Sequence, residues 1–121
     1  MLIIRTDKTA YRPEETVLIT LLLQNDGKEA REYRFYTAQR FDVTAERDGQ
    51  TLWQWSHDRL FAQVLTTLVI QPGDSRVFKA DWKQTDLRGR TVPRGPVTLK
   101  GWIIGTGERA ETKIELTGRV G

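Results

Sequence analysis

The 121-residue chain has no cysteine and a single histidine, His57. Those two absences exclude disulfide frameworks, thiol nucleophiles, iron–sulfur clusters and zinc sites built from histidine and cysteine. Proline is scarce at four residues, and no Gly/Ser-rich or low-complexity tract divides the chain. One domain over residues 1–121 is therefore expected. Long apolar runs are missing too. Met1 leads into Leu2-Ile3-Ile4 only, far short of a signal peptide's core or of the roughly eighteen residues that cross a membrane. A cytoplasmic protein without membrane contact is the expectation, and the lack of cysteine suits a reducing compartment.

Charge of one sign is also in small excess. The net charge is +3, and its distribution matters more than its size. Residues 1–82 hold 11 Lys/Arg against 12 Asp/Glu, whereas residues 83–121 hold 8 against 4. The surplus is local: Lys83, Arg88, Arg90 and Arg94 face only Asp86. A basic stretch this short falls below the footprint of a nucleic-acid binder, and no nucleic-acid partner is expected.

What the chain does have is period-two alternation of apolar residues, punctuated by Gly, Pro, Asn and Asp. Val17, Ile19, Leu21 and Leu23 read as a buried central strand closed by Asn25-Asp26-Gly27. Tyr33 and Phe35, then Phe41, Val43 and Ala45, read as half-exposed strands. Asp48-Gly49 between Phe41–Arg47 and Thr51–Ser56 signals a type I′ hairpin, because that turn needs positive φ at both central residues. Further strands are expected at Leu68–Gln71, Arg76–Trp82, Val97–Ile104 and Thr112–Val120, with Leu2–Thr6 as a first edge strand. Pro72-Gly73-Asp74 and Gly105-Thr106-Gly107 supply turns. Asp58–Thr67 is ambiguous. Its Leu60, Phe61, Val64, Leu65 and Leu68 fit two turns of helix as well as an irregular strand. Eight or nine short strands joined by turns make an all-β antiparallel sandwich or barrel.

Catalytic chemistry finds little support. Ser56-His57-Asp58 contains the residue types of a serine-hydrolase triad, but consecutive residues of an extended chain point to opposite faces and cannot converge. The tripeptide reads as a polar turn after a strand. No Gly-x-Ser-x-Gly elbow or phosphate loop is present, and carboxylates such as Glu14, Glu15, Asp42 and Glu46 read as a solvated face. The expectation is a protein that is not an enzyme and takes no cofactor or metal.

One ordered constellation is more specific. Phe35-Tyr36-Thr37-Ala38-Gln39-Arg40-Phe41-Asp42-Val43 is followed by Trp53-Gln54-Trp55-Ser56, then Phe61-Ala62-Gln63, then Leu68 to Pro72-Gly73-Asp74-Ser75, then Trp82. This order resembles the BsuPI-type intracellular proteinase inhibitor domain, over residues 15–104. Val97 departs from it, standing where the family often has tyrosine. The resemblance implies an immunoglobulin-like β-sandwich and an intracellular subtilisin-like serine protease as partner, inhibited by non-covalent occlusion. Among the residues carrying it, Phe35, Phe41, Trp53, Trp55, Phe61 and Trp82 are expected in the inter-sheet core. Gln39 and Gln63 are expected to satisfy buried backbone groups at strand ends, and Asp42 completes the signature.

For contact with a partner, the best segment by length and composition is Gln84–Thr91, between the strands ending at Trp82 and starting at Val97. Within Asp86-Leu87-Arg88-Gly89-Arg90, Leu87 is the apolar residue that could enter a pocket, and the arginines suit acidic groups on the partner. Asn25–Ala30 and Asp48–Gln50 are shorter alternatives. Two other functions stay open at this level: a non-inhibitory module that binds protein or sugar, and a single-stranded nucleic-acid binder whose aromatics stack bases.

Overall fold

The computed structural model describes residues 1–119. Ten strands run through them: β1 (Leu2–Thr6), β2 (Ala10–Tyr11), β3 (Val17–Gln24), β4 (Arg31–Phe35), β5 (Phe41–Arg47), β6 (Gln50–Gln54), β7 (Thr66–Ile70), β8 (Ser75–Trp82), β9 (Gly95–Ile103) and β10 (Arg109–Leu116). They form a three-stranded sheet β1-β3-β8, a five-stranded sheet β2-β10-β9-β5-β6, and a two-stranded pair β4-β7. The result is an all-β sandwich, and none of the described residues is helical. No helix among them is long and apolar enough to cross a membrane.

The core lies where inward-pointing residues of the sheets meet. Val17, Ile19, Leu21 and Leu23 of β3 face Val97, Leu99 and Ile103 of β9, Val43 and Ala45 of β5, and Ile114 and Leu116 of β10, all buried. Each fully buried side chain of this size contributes about 1.5–3 kcal/mol. Gly101 marks a close approach of the sheets, since a Cβ there would lie 2.5 Å from Leu21 Cδ2.

Most strand expectations match, and the departures have physical reasons. β3 is central in its sheet but buried on one face only, with Leu18 46% exposed, because the sheet's outer face meets solvent. β5 is more buried than its alternation suggests. It sits between β9 and β6, and Asp42, Val43, Thr44 and Ala45 are all buried, with the Glu46–Lys100 ion pair beside Thr44 on the outer face. The tenth strand, β2, is two residues long and pairs parallel with Glu115–Leu116 of β10, so the fold is not wholly antiparallel. A two-residue strand carries no periodicity. β10 ends at Leu116, and Val120, the expected end of that strand, lies outside the described residues.

Turn chemistry behaves as expected at Asp48-Gly49, where φ is 51° and 77°. Asn25 does more than turn the chain: it is buried, and its amide donates to the carbonyls of Glu29 and Ile70 at 2.7 and 2.8 Å. That ties residues 25–29 to β7. Asp58–Thr67 is neither helix nor strand over most of its length. Residues 55–58 turn, residues 59–65 run without regular structure, turn or bend, and β7 begins at Thr66. The helix-like spacing of Leu60, Val64 and Leu65 fails because no apolar surface waits for them; all three are exposed.

Candidate functional site

Two irregular segments, residues 83–94 and 55–65, approach each other where Thr85–Gly89 of the first faces His57 and Asp58 of the second. A shallow groove between them is lined by Trp53, Gln54, His57 and Asp58 on one side and Thr85, Asp86, Leu87 and Gly89 on the other.

The first segment is anchored from below. Trp82, fully buried at the end of β8, stacks on Trp53 with centroids 5.7 Å apart and donates its indole N–H to the Thr85 carbonyl at 2.8 Å. Gln84 was expected in the exposed loop, yet it is fully buried with φ of 61°. Its amide donates to the carbonyls of Arg12 and Glu15, at 2.6 and 2.8 Å, and its oxygen accepts from Arg94 at 2.8 Å. Arg94 also donates to the Val92 and Thr117 carbonyls, so this member of the basic stretch is structural.

Above Gln84 the chain closes a small ring. Thr85 and Thr91 form an isolated bridge, the Asp86 N–H donates to the Arg90 carbonyl at 2.7 Å, and Gly89, in the left-handed region at φ 81°, donates to the Asp86 carbonyl. Asp86 Oδ1 accepts the amides of both Arg88 and Arg90 at 2.9 Å. The Arg90 amide first, then the Arg88 amide, holds the carboxyl below its usual range. The loop is thus preformed, with Leu87 39% exposed at its tip and Arg88 and Arg90 in solvent.

The second segment begins at a turn governed by Asp42. This buried carboxylate accepts the Ser56 hydroxyl at 2.6 Å, the Ser56 amide at 3.1 Å, the Gln54 amide side chain at 2.8 Å and the Val43 N–H at 2.9 Å. Ser56 is therefore committed to Asp42, while the His57 ring lies 3.4 Å from exposed Asp58, so the tripeptide forms a turn rather than a triad. Beyond it runs an aromatic column. Phe78 meets Phe41 at 5.3 Å, Phe41 stacks on Trp55 at 4.2 Å, and Phe61 leans on Trp55 at 5.8 Å. The Arg59 guanidinium lies 4.2 Å over the Trp55 ring, and its Nε donates to the Trp55 carbonyl at 2.9 Å.

The signature residues thus divide. Phe35 and Trp82 are core, whereas Phe41, Trp53, Trp55 and Phe61 are only partly buried and support the two segments. Gln39 satisfies a strand end by donating to the Phe41 carbonyl at 3.1 Å. Gln63 does not; it is exposed, because its segment stands off the sheet. Sequence reasoning missed Leu60 as a surface residue. It is fully exposed, and the only signal was that Leu60, Val64 and Leu65 matched a helix with no face to cover.

The all-β sandwich thus carries two irregular segments that meet at a shallow groove, each with an exposed leucine, and loops of this kind are where binding residues concentrate in many folds. The chain belongs to the BsuPI family, intracellular proteinase inhibitor, whose family model matches residues 4–108. No curated protein matches it. Among solved structures it is similar to the sporulation control protein Spo0M from Bacillus subtilis, with 20% identity and TM-score 0.57 over 98% of this chain and 49% of that one. It is also similar to a β-glucosidase from Erythrobacter marinus, with 12% identity and TM-score 0.56 over 97% of this chain and 15% of that one. The alkylpurine DNA glycosylase AlkC of Pseudomonas fluorescens is similar at 12% identity and TM-score 0.56, over 97% of this chain and 30% of that one. The chain therefore spans less than half of each of these proteins, and likeness at such identity shows the fold alone.

Proposed function

We propose that the protein inhibits an intracellular subtilisin-like serine protease by non-covalent occlusion of its active-site cleft, with Asp86–Arg90 in the contact surface and no cofactor. The observation that carries this reading is the family match over residues 4–108. The geometry of the loop supports it. A protease–inhibitor interface buries about 800 Å² per partner and works best when the contacting surface is rigid before binding. Asp86 supplies that rigidity by holding two amides of its own loop. Arg88 and Arg90 stand in solvent, where they would raise the association rate with an acidic cleft rim in a salt-dependent way.

Titration of a purified intracellular subtilisin-type protease with this protein tests the reading. Inhibition saturating near one equivalent is expected. Unchanged activity at large molar excess overturns it and leaves the non-inhibitory binding module. Replacing Leu87 and Arg88 together with Ala should preserve the fold and weaken inhibition roughly tenfold, as truncating a contact worth about 1.4 kcal/mol does.

A further inference from the structure

We propose that Arg59–Leu65 is the segment that enters the protease's substrate cleft, with Leu60 seated in an apolar specificity pocket and the Asp86–Arg90 loop meeting the protease beyond the His57–Asp58 turn. This rests on the inhibitory reading above and names the part of the surface that does the inserting. Leu60 is 101% exposed against 39% for Leu87, so its side chain touches nothing in its own fold. An apolar side chain left wholly in water is ordinary on a flexible tail, but Leu60 is not on one. Arg59 on one side is fixed to the Trp55 ring and carbonyl, and Phe61 on the other leans on the same ring. Two pinned neighbours hold Leu60 outward.

The backbone around it suits the same role. Residues 59–65 have no regular structure, turn or bend. The backbone bonds that tie them down are Arg59 N–H to the Ser56 carbonyl and Ala38 N–H to the Ala62 carbonyl, at 3.1 and 2.8 Å. The groups between remain available to pair with the edges of a cleft, as an added strand pairs with a sheet edge, while the side chain supplies specificity. Apolar surface continues along the segment at Val64 and Leu65 and onto Tyr36, which is 78% exposed. The partner this fits is a protease cleft that accepts an extended chain and carries an apolar pocket. Because the segment is held before binding, little ordering cost remains at association.

The residues that carry the family signature therefore act at a distance. Phe41, Trp55 and Phe61 are positioning residues: they form the column on which Leu60 is presented. Asp42 fixes the turn that leads into the segment.

The test measures inhibition constants against a subtilisin-type protease with a small chromogenic peptide substrate, for the wild type, Leu60→Met, Leu60→Asp and Leu87→Ala. The proposal expects competitive inhibition, Leu60→Met within about threefold of wild type, Leu60→Asp weaker by at least about a hundredfold, and Leu87→Ala weaker by about tenfold or less. The melting temperature of Leu60→Asp should match the wild type, because the side chain has no native contacts to lose. Wild-type inhibition that Leu60→Asp leaves intact overturns the proposal and keeps the inhibitory function. Absence of inhibition by the wild type overturns the function itself and the proposal with it. Sedimentation of the protein alone covers the other occupant: a dimer that Leu60→Asp dissociates, with inhibition unchanged, assigns the surface to a second copy and overturns the proposal.

Discussion

The Thr85–Thr91 loop is fixed through its backbone, whereas Arg59–Leu65 is fixed through side chains stacked beneath it. In the first, an aspartate caps two amides of its own loop, a glycine takes the left-handed turn, and a buried glutamine ties the base to Arg12 and Glu15. In the second, two backbone bonds bracket the segment and the aromatic column does the rest. The two solutions fail differently. A backbone ring is local and survives the loss of any one distant contact, while a segment resting on rings depends on core geometry several residues away.

The largest expected effect is at Trp55. Trp55→Ala removes the ring that meets Phe41, Phe61 and Arg59 together, and a partly buried tryptophan of this kind costs about 3 kcal/mol, read as a lower urea midpoint. Limited proteolysis should then cut between residues 59 and 65 while the 85–91 loop stays uncut. Cleavage in both segments would show that they are one unit and break the comparison.

Next is Gln84. Gln84→Ala removes the side-chain donor to the Glu15 carbonyl, one of the two donors to the Arg12 carbonyl and one of the three acceptors of the Arg94 guanidinium, for a loss of about 2 kcal/mol. Its structural signature is the converse of the first: amide resonances of 85–91 shift, and those of 59–65 stay in place. Shifts confined to 59–65 would reverse the assignment of which contacts hold which loop.

This contrast also explains what was legible in the sequence. The first loop is legible from the strand alternation that ends at Trp82 and resumes at Val97, and Asp86 and Gly89 within it are local signals for a cap and a positive φ. The same local logic placed the Asp48-Gly49 hairpin and the alternation of β3. The burial of Gln84 is not legible, because a lone glutamine among polar neighbours gives no hint that three partners from Arg12, Glu15 and Arg94 converge on it. Leu60 was unreadable for a related reason. Its spacing with Val64 and Leu65 matches a helix face, and whether such a face forms depends on whether an apolar surface lies opposite, which tertiary structure alone decides. β2 escaped because its two residues take their strand state wholly from β10. In each case the unread feature is made by long-range contacts, and the read one by neighbours in the chain.

The smallest effect, and the most selective, is acid titration of the Asp86 ring. Asp86 is held below its ordinary value of 3.8 because its ionised form accepts the Arg90 and Arg88 amides. A carboxyl whose folded value is depressed stabilises the folded loop fully above the unfolded value and loses that contribution as pH falls through the folded value. The Arg88 and Arg90 amide resonances should therefore titrate together with a midpoint below 3.8. Residues 59–65 contain no carboxylate, so the Leu60 amide should not follow the same curve. Asp86→Asn keeps an acceptor oxygen but removes the charge, and it should abolish the titration of both arginine amides while leaving the loop's bridge at Thr85 and Thr91 in place. An Arg90 amide whose titration midpoint lies at or above 3.8 would mean the carboxylate does not hold the ring. Rigidity of the Asp86–Arg90 loop would then have to come from the Trp82 and Gln84 anchors alone, and the two segments would differ less than their hydrogen bonds suggest.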